Sequence, residues 1–270
     1  VTGWRKPLAF VKRDLTVLIS YPMAFFLQFF GIFATILMFF FVSRVFGGAA
    51  SPHLAEYGGD YFSFVLVGLA FSGYMTVAMN SFAASIREGQ MMGTLEAMLV
   101  SPTRLSTILI SSSLWNYTFT SLRVVFFFLI GALCFGVDLS HANLSAALVV
   151  QGLTILSFSA LGIVSASFIM VFKQGNPLDA LSGVVFSLLG GVLYPVAVLP
   201  AWLQPVAWCL PLTYSLRAMR RAMLRGASWG ELLPDILALV LFAAVLLPAS
   251  LYVFRRAVRR ARRDGTLTQY

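Results

Sequence analysis

The side chains with most chemical reach in this chain are arginines and glutamates set among apolar residues. Arg217, Arg220, Arg221 and Arg225 are helically spaced, with Ala218, Met219, Ala222 and Met223 covering much of the remainder. Guanidinium forks of this kind hold phosphates or carboxylates. Three readings stay open for them: lipid phosphates, an anionic substrate, or simple compensation of Glu231 and Asp235 nearby. Arg123 stands inside an apolar run, beside Phe119 and Phe126 to Phe128. A charge there must face water, pair or snorkel. Asp60 and Asp138 are candidate partners for it, and substrate is another. Glu88 and Glu96 lie in a stretch, 85–104, that breaks the apolar pattern with two acids and two bases. No paired catalytic carboxylates, nucleophile constellation or metal-like cluster is found in the sequence. His53 and His141 read as ordinary loop residues, and Cys134 and Cys209 as small apolar side chains, with a disulfide between them as the alternative.

The elements that must carry these groups follow from composition. Hydrophobic residues make up 59% of the 270 residues and charged residues 11%, well under the roughly 25% of a soluble domain. So little charge cannot cover a soluble globule. With 25 Phe the chain is not a disordered one either. The formal charge of +9 falls largely in flanks, which suits anionic headgroups better than nucleic acid.

A crossing helix needs roughly 20 mostly apolar residues. Six segments qualify: 22–42, 61–84, 105–135, 146–172, 178–198 and 234–254. They are too long, and too poorly alternating, for barrel strands. The first is too long for a signal peptide and lacks a small-residue cleavage site. Lys and Arg concentrate at Arg5, Lys6, Lys12 and Arg13, at Arg87 and Arg104, at Lys173, and in the tail from Arg255 to Arg263. The other side carries Arg44 and the four arginines from 217 to 225. This bias places both termini in the cytoplasm.

Three further segments have distinct patterns. Residues 1–20 place Trp4, Leu8, Val11, Leu15 and Leu18 on one face, as in a helix lying flat in the interface. In 85–104, either Thr94 caps a short helix beginning at Leu95 or Gly93 ends the preceding turn; Leu95, Met98 and Leu99 share one face of that helix, ended by Ser101-Pro102. In 199–225, Pro200, Pro205 and Pro211 follow Pro195 among apolar residues, with Trp202 and Trp208 between them. Prolines this dense interrupt a helix, while the apolar residues resist a wet loop. Short helices that dip into the outer leaflet and return reconcile the two.

The order Arg87-Glu88, Gly93-Thr94-Leu95-Glu96 and Ser101-Pro102 resembles the cytoplasmic motif of ABC-2 type transporter permeases. Lys12-Arg13-Asp14 resembles that family's start. Gly190-Gly191, Tyr194-Pro195, Leu199-Pro200, Trp202, Pro211-Leu-Thr-Tyr214 and Arg217 resemble its C-terminal signature. The resemblance covers essentially the whole chain. It implies an all-α membrane protein of six spans, with an N-terminal interfacial helix and a re-entrant helical hairpin before the last span. It implies a multi-pass subunit of the bacterial cytoplasmic (inner) membrane, acting as a homodimer with two copies of an ABC ATPase subunit.

No P-loop pattern is present, so ATP and Mg are expected on that partner and no cofactor on this chain. Arg87, Glu88, Gly93, Thr94, Leu95, Glu96 and Met98 are expected to couple to the ATPase. Phe26, Phe30, Arg123, Tyr194, Tyr214, Arg217, Arg220 and Arg221 are candidates for the translocation path or for headgroup contacts. The phenylalanines of the first span have lipid as the alternative neighbour. The expected function is export of an amphipathic small molecule, drug or lipid. A lipid-linked polysaccharide or oligosaccharide is the alternative, and a non-transport membrane enzyme or scaffold the remote one.

Overall fold

A computed structural model describes residues 20, 22–91, 105–172 and 185–263. Every regular element among them is helical. The chain runs through α1 (Pro22–Ala50), a 3-10 turn (Ser51–Tyr57), α2 (Tyr61–Met91), α3 (Leu105–Phe135) and α4 (Leu144–Phe172). After residue 184 it continues as a short helical stretch over 185–189, a turn, and a second 3-10 turn (Val196–Val198). It finishes through α5 (Gln204–Trp208), α6 (Pro211–Arg225) and α7 (Trp229–Arg263).

Among the described residues, five stretches are long and apolar enough to cross a bilayer: Phe26–Phe46, Tyr61–Phe82, Asn116–Phe135, Leu144–Ile169 and Trp229–Arg260. The chain is therefore a multi-pass membrane protein. Observed helices overrun the predicted spans at several ends, α1 reaching Ala50 and α7 running from Trp229 to Arg263. Pro234 and Pro248 are accommodated inside α7. The expected span 178–198 is described only from 185, and its helix stops at 189 instead of 198. The reason is local: Gly191 takes a left-handed φ of 74°, which few other residues tolerate. Pro195 follows in an extended conformation. Residues 1–19 of the proposed interfacial helix (1–20) and residues 92–104 of the segment 85–104 lie outside the described residues.

Local sequence sets the helix ends. Asp60 caps α2, accepting from the Ser63 backbone N–H at 2.8 Å and the Phe62 N–H at 3.3 Å. Asn143 caps α4 through the Ala146 N–H at 3.1 Å. Pro211 opens α6 at a position whose N–H needs no partner. Gly226 closes α6 in the left-handed conformation.

Packing is uneven. α2 sits at the centre, against α3 on one side and α4 on the other, and α7 packs on the far side of α4. Small residues permit these approaches. A Cβ on Gly162 of α4 would lie 2.0 Å from the Ala78 carbonyl oxygen of α2. α6 lies across α2, α4 and α7 at the end where the 51–60 and 136–143 loops gather. Among the described residues α1 packs mainly against α2, α3 and the first 3-10 turn. It is held to them by two aromatic clamps. Phe29 meets Phe126 edge-on at 4.5 Å, and Phe40 meets Phe135 at 4.7 Å and Phe62 at 5.5 Å. Its remaining face leaves Phe26, Phe30, Phe41 and Val45 exposed, as expected of a surface against lipid or another chain.

Candidate functional site

Two regions bring charged groups together. The first is the loop end, organised by α6. This helix buries its apolar side, Leu212, Leu216, Met219 and Met223 among others, and with it one arginine. Arg220 is 3% exposed. Its Nε donates to the Phe64 carbonyl at 3.1 Å, Nη1 to Gly191 at 2.7 Å and Nη2 to Val192 at 2.7 Å. The guanidinium also lies over the Phe64 ring, 3.5 Å from its centroid. Burial pulls this group down to about 9, so it remains a cation at neutral pH. One side chain thus ties α6, α2 and the turn after residue 189 into a unit. Gly68 makes room for it: a Cβ there would sit 2.2 Å from the Val192 oxygen and 2.5 Å from Arg220 Nη2.

The neighbouring arginines find carboxylates. Arg217 Nε donates to Asp235 Oδ1 at 2.8 Å, and its Nη2 closes a second contact on the same oxygen. Its guanidinium stacks over Trp208 at 4.6 Å. Burial lowers the affinity of Arg217 for its proton, but the hydrogen bond and charge of Asp235 outweigh that and leave its pKa raised. Arg221 stands 3.5 Å from Glu56 and 3.9 Å from Asp235. Arg225 donates to the Glu56 carbonyl at 3.1 Å. Desolvation, reinforced by Glu56, raises the Tyr57 phenol, which stays neutral. Tyr194 donates its hydroxyl to the Leu188 carbonyl at 2.7 Å, and Tyr214 packs against Trp208 and Phe242.

Of the three readings open for these arginines, internal compensation is the geometry present, with Asp235 and Glu56 as the acids. Glu231 contributes only its backbone carbonyl, to Arg221 at 3.4 Å. Glu56 and the three carbonyls on Arg220 escaped sequence reasoning. No local spacing connects residue 56 or 64 with 220; only the folded arrangement does.

The second region is a cavity of about 420 Å³ between α1, α2 and α3. Arg123 reaches into it, with Gln28 and Thr35 of α1, Ser72 and Thr76 of α2, and Thr120 of α3. Leu27, Ile32, Leu69 and Phe127 supply apolar wall. Arg123 precedes the end of α3 at Phe135 by twelve residues, or about 18 Å of helix. Its lining partners on α2 lie near that helix's middle.

Neither acid suggested for Arg123 serves it. Asp60 caps α2, and Asp138 accepts from the Ser140 N–H at 2.9 Å, which with the Ser140 side chain holds its carboxyl below the usual range. No hydrogen bond or ion pair to Arg123 is present among the described residues. The polar lining was also missed from sequence. Its signal was there: Gln28, Gly31 and Thr35 recur at three and four residues, as do Ser72 with Thr76 and Thr120 with Arg123.

The remaining expected site residues are not drawn together. Phe26 and Phe30 stack on each other at 6.3 Å on the exposed face of α1. The backbone at Arg87 and Glu88 belongs to α2, and their side chains fall outside what is described. Gly93, Thr94, Leu95, Glu96 and Met98 lie outside the described residues. Cys134 and Cys209 are both free and exposed.

Known proteins supply the last piece. No curated protein matches the chain. The family described as ABC-2 type transporter matches residues 9–224, which takes in the first four crossing helices and all of the loop-end unit up to Leu224. With five apolar helices of crossing length, the chain belongs to the ABC-2 type transporter family and is a membrane transport permease.

Proposed function

We propose that this permease is the membrane half of an ATP-driven exporter that moves an amphipathic small molecule, drug or lipid out of the cytoplasm. The observation that supports it most is the Gly93-Thr94-Leu95-Glu96 and Ser101-Pro102 segment. It sits between two long helices, within the stretch that matches the family. Permeases of this family typically work with a separate ABC ATPase. Two ATPase copies, binding ATP and Mg, would dock on the 85–104 segment of a permease homodimer. Glu88 and Glu96 would hydrogen-bond ATPase Arg or Lys side chains, with Arg87, Gly93 and Thr94 shaping the segment. Leu95 or Met98 would supply an apolar wedge.

The topology proposed with it has six spans, the fifth lying in the 178–198 segment and ending at the turn after residue 189. A flat interfacial helix precedes them, and a re-entrant hairpin over 199–225 precedes the last. Both termini lie in the cytoplasm of a bacterial inner-membrane protein. The exposed face of α1, with Phe26 and Phe30, is where the second copy and the path between the copies would lie. ATP binding shifts the equilibrium between inward and outward states only through contacts that differ between them.

The test is reconstitution with its partner ATPase, measuring which compound classes stimulate hydrolysis. Stimulation by apolar or amphipathic compounds, abolished by Glu88→Ala with Glu96→Ala, is expected. Stimulation by lipid-linked saccharides alone would move the substrate to the other class. Unaltered stimulation in the double variant removes the coupling role of the two glutamates.

A further inference from the structure

We infer that the cavity between α1, α2 and α3 is a binding site for the acidic head group of an amphipath, a phosphate or carboxylate held by Arg123. The inference rests on the permease reading only for the question of whether the bound molecule is transported.

The argument starts from an unspent cation. A guanidinium within a membrane-crossing helix is costly unless it is compensated. At the loop end the arginines are compensated: Arg220 makes three carbonyl bonds, and Arg217 a carboxylate pair. Arg123 has neither a hydrogen bond nor an ion pair among the described residues, yet it is half-buried against α1 and α2. It lines a space of about 420 Å³, within the roughly 300–1,000 Å³ range of ligand pockets, and its guanidinium carries five N–H donors.

The wall chemistry matches a bifunctional ligand. Around Arg123 the lining is polar. Gln28 offers an amide, and the hydroxyls of Thr35, Ser72 and Thr120 already donate to their own helices, at 2.8, 2.9 and 2.8 Å. Those hydroxyl oxygens keep lone pairs and can accept from ligand hydroxyls. The rest of the wall is aliphatic or aromatic, fit for an acyl or ring body. Space is kept open by two glycines. A Cβ on Gly31 would meet nothing within 4 Å, and one on Gly73 only the Thr120 methyl at 3.7 Å. The same cavity filled by water alone would hold roughly 14 molecules. That is the competing state which the experiment must separate.

The probes are dioctanoyl phosphatidate and neutral dioctanoylglycerol, titrated into the full chain in complex with its ATPase. The expected result is at least a tenfold tighter Kd for phosphatidate. Arg123→Gln should erase that preference without weakening the neutral probe, and Arg123→Lys should keep part of it. Gly73→Leu, which fills the space, should weaken both. Equal affinity of the wild type for the two probes, or a preference that survives Arg123→Gln, overturns the site.

The two sources of the head group separate in proteoliposomes. ATP-dependent movement of labelled phosphatidate, lost in Arg123→Gln, identifies a transported ligand. An acidic lipid that co-purifies with wild type but not with Arg123→Gln, and that ATP does not discharge, identifies a resident one. Either result supports the site. If the preference is present but no compound is moved by ATP, the exporter reading fails and the site stands. If transport proceeds with no preference, the reverse holds.

Discussion

Arg220 and Arg123 are both arginines placed among apolar helices, and the protein treats them in opposite ways. Arg220 is almost wholly buried, and its three donor nitrogens each reach a backbone carbonyl. Arg123 is half-buried and opens on a cavity with no partner among the described residues. A buried charge that is fully satisfied is a structural bond, because any departure strands several groups at once. A charge left unsatisfied at a polar cavity is free to be satisfied by something else. The contrast extends to the elements. α6 is wedged between three helices, while α1 rests on two aromatic clamps with small residues between them. The loop end is built to stay put, and the α1 side to admit a guest.

Six substitutions can break or sharpen that contrast. The largest stability effect belongs to Arg220→Met. It leaves three carbonyls without a donor, at about 1–3 kcal/mol each, so a loss above about 3 kcal/mol is expected in thermal unfolding in detergent. Gly68→Ala should produce a related lesion, since its Cβ meets both the Val192 oxygen and Arg220. Near-normal stability in both would mean the loop end is not held by this arginine.

Next comes Asp235→Asn, which strips Arg217 of its carboxylate. About 2 kcal/mol is expected, less than for a fully buried pair because Arg217 reaches solvent. A double-mutant cycle with Arg217→Gln should recover most of it as coupling energy. Glu56→Gln touches a half-exposed pair at 3.5 Å and should cost about 0.5 kcal/mol, detectable only as a small shift in unfolding midpoint.

The smallest stability effect is expected at Arg123. Its change to Gln removes an uncompensated charge from a membrane helix, so the unfolding midpoint should hold or rise. The acidic-ligand preference should vanish with it. A large destabilisation would instead make Arg123 a structural residue like Arg220, and the contrast would collapse.

Much of the frame was legible in the residues. The apolar runs located α1, α2, α3, α4 and α7. Helix ends were less so, because a helix continues past its apolar stretch wherever nothing breaks it. α2 runs on to Met91, and α7 through the arginines to Arg263. The end at 189 depended on the left-handed Gly191, whose conformation the letter G alone does not announce. At the loop end, α6 was recognised as an amphipathic helix, and Asp235 was one named partner. Glu56 and the carbonyls of Phe64, Gly191 and Val192 were not visible, being distant along the chain.

Composition and motif order determined by themselves that this chain lives in a bilayer and belongs with the ABC-2 permeases. Hydrophobic length and local residue order are one-dimensional properties. The tertiary structure alone decided which arginine is locked and which is open. The fate of a buried charge depends on what stands within about 3 Å of it, and those groups come from segments far apart in the chain.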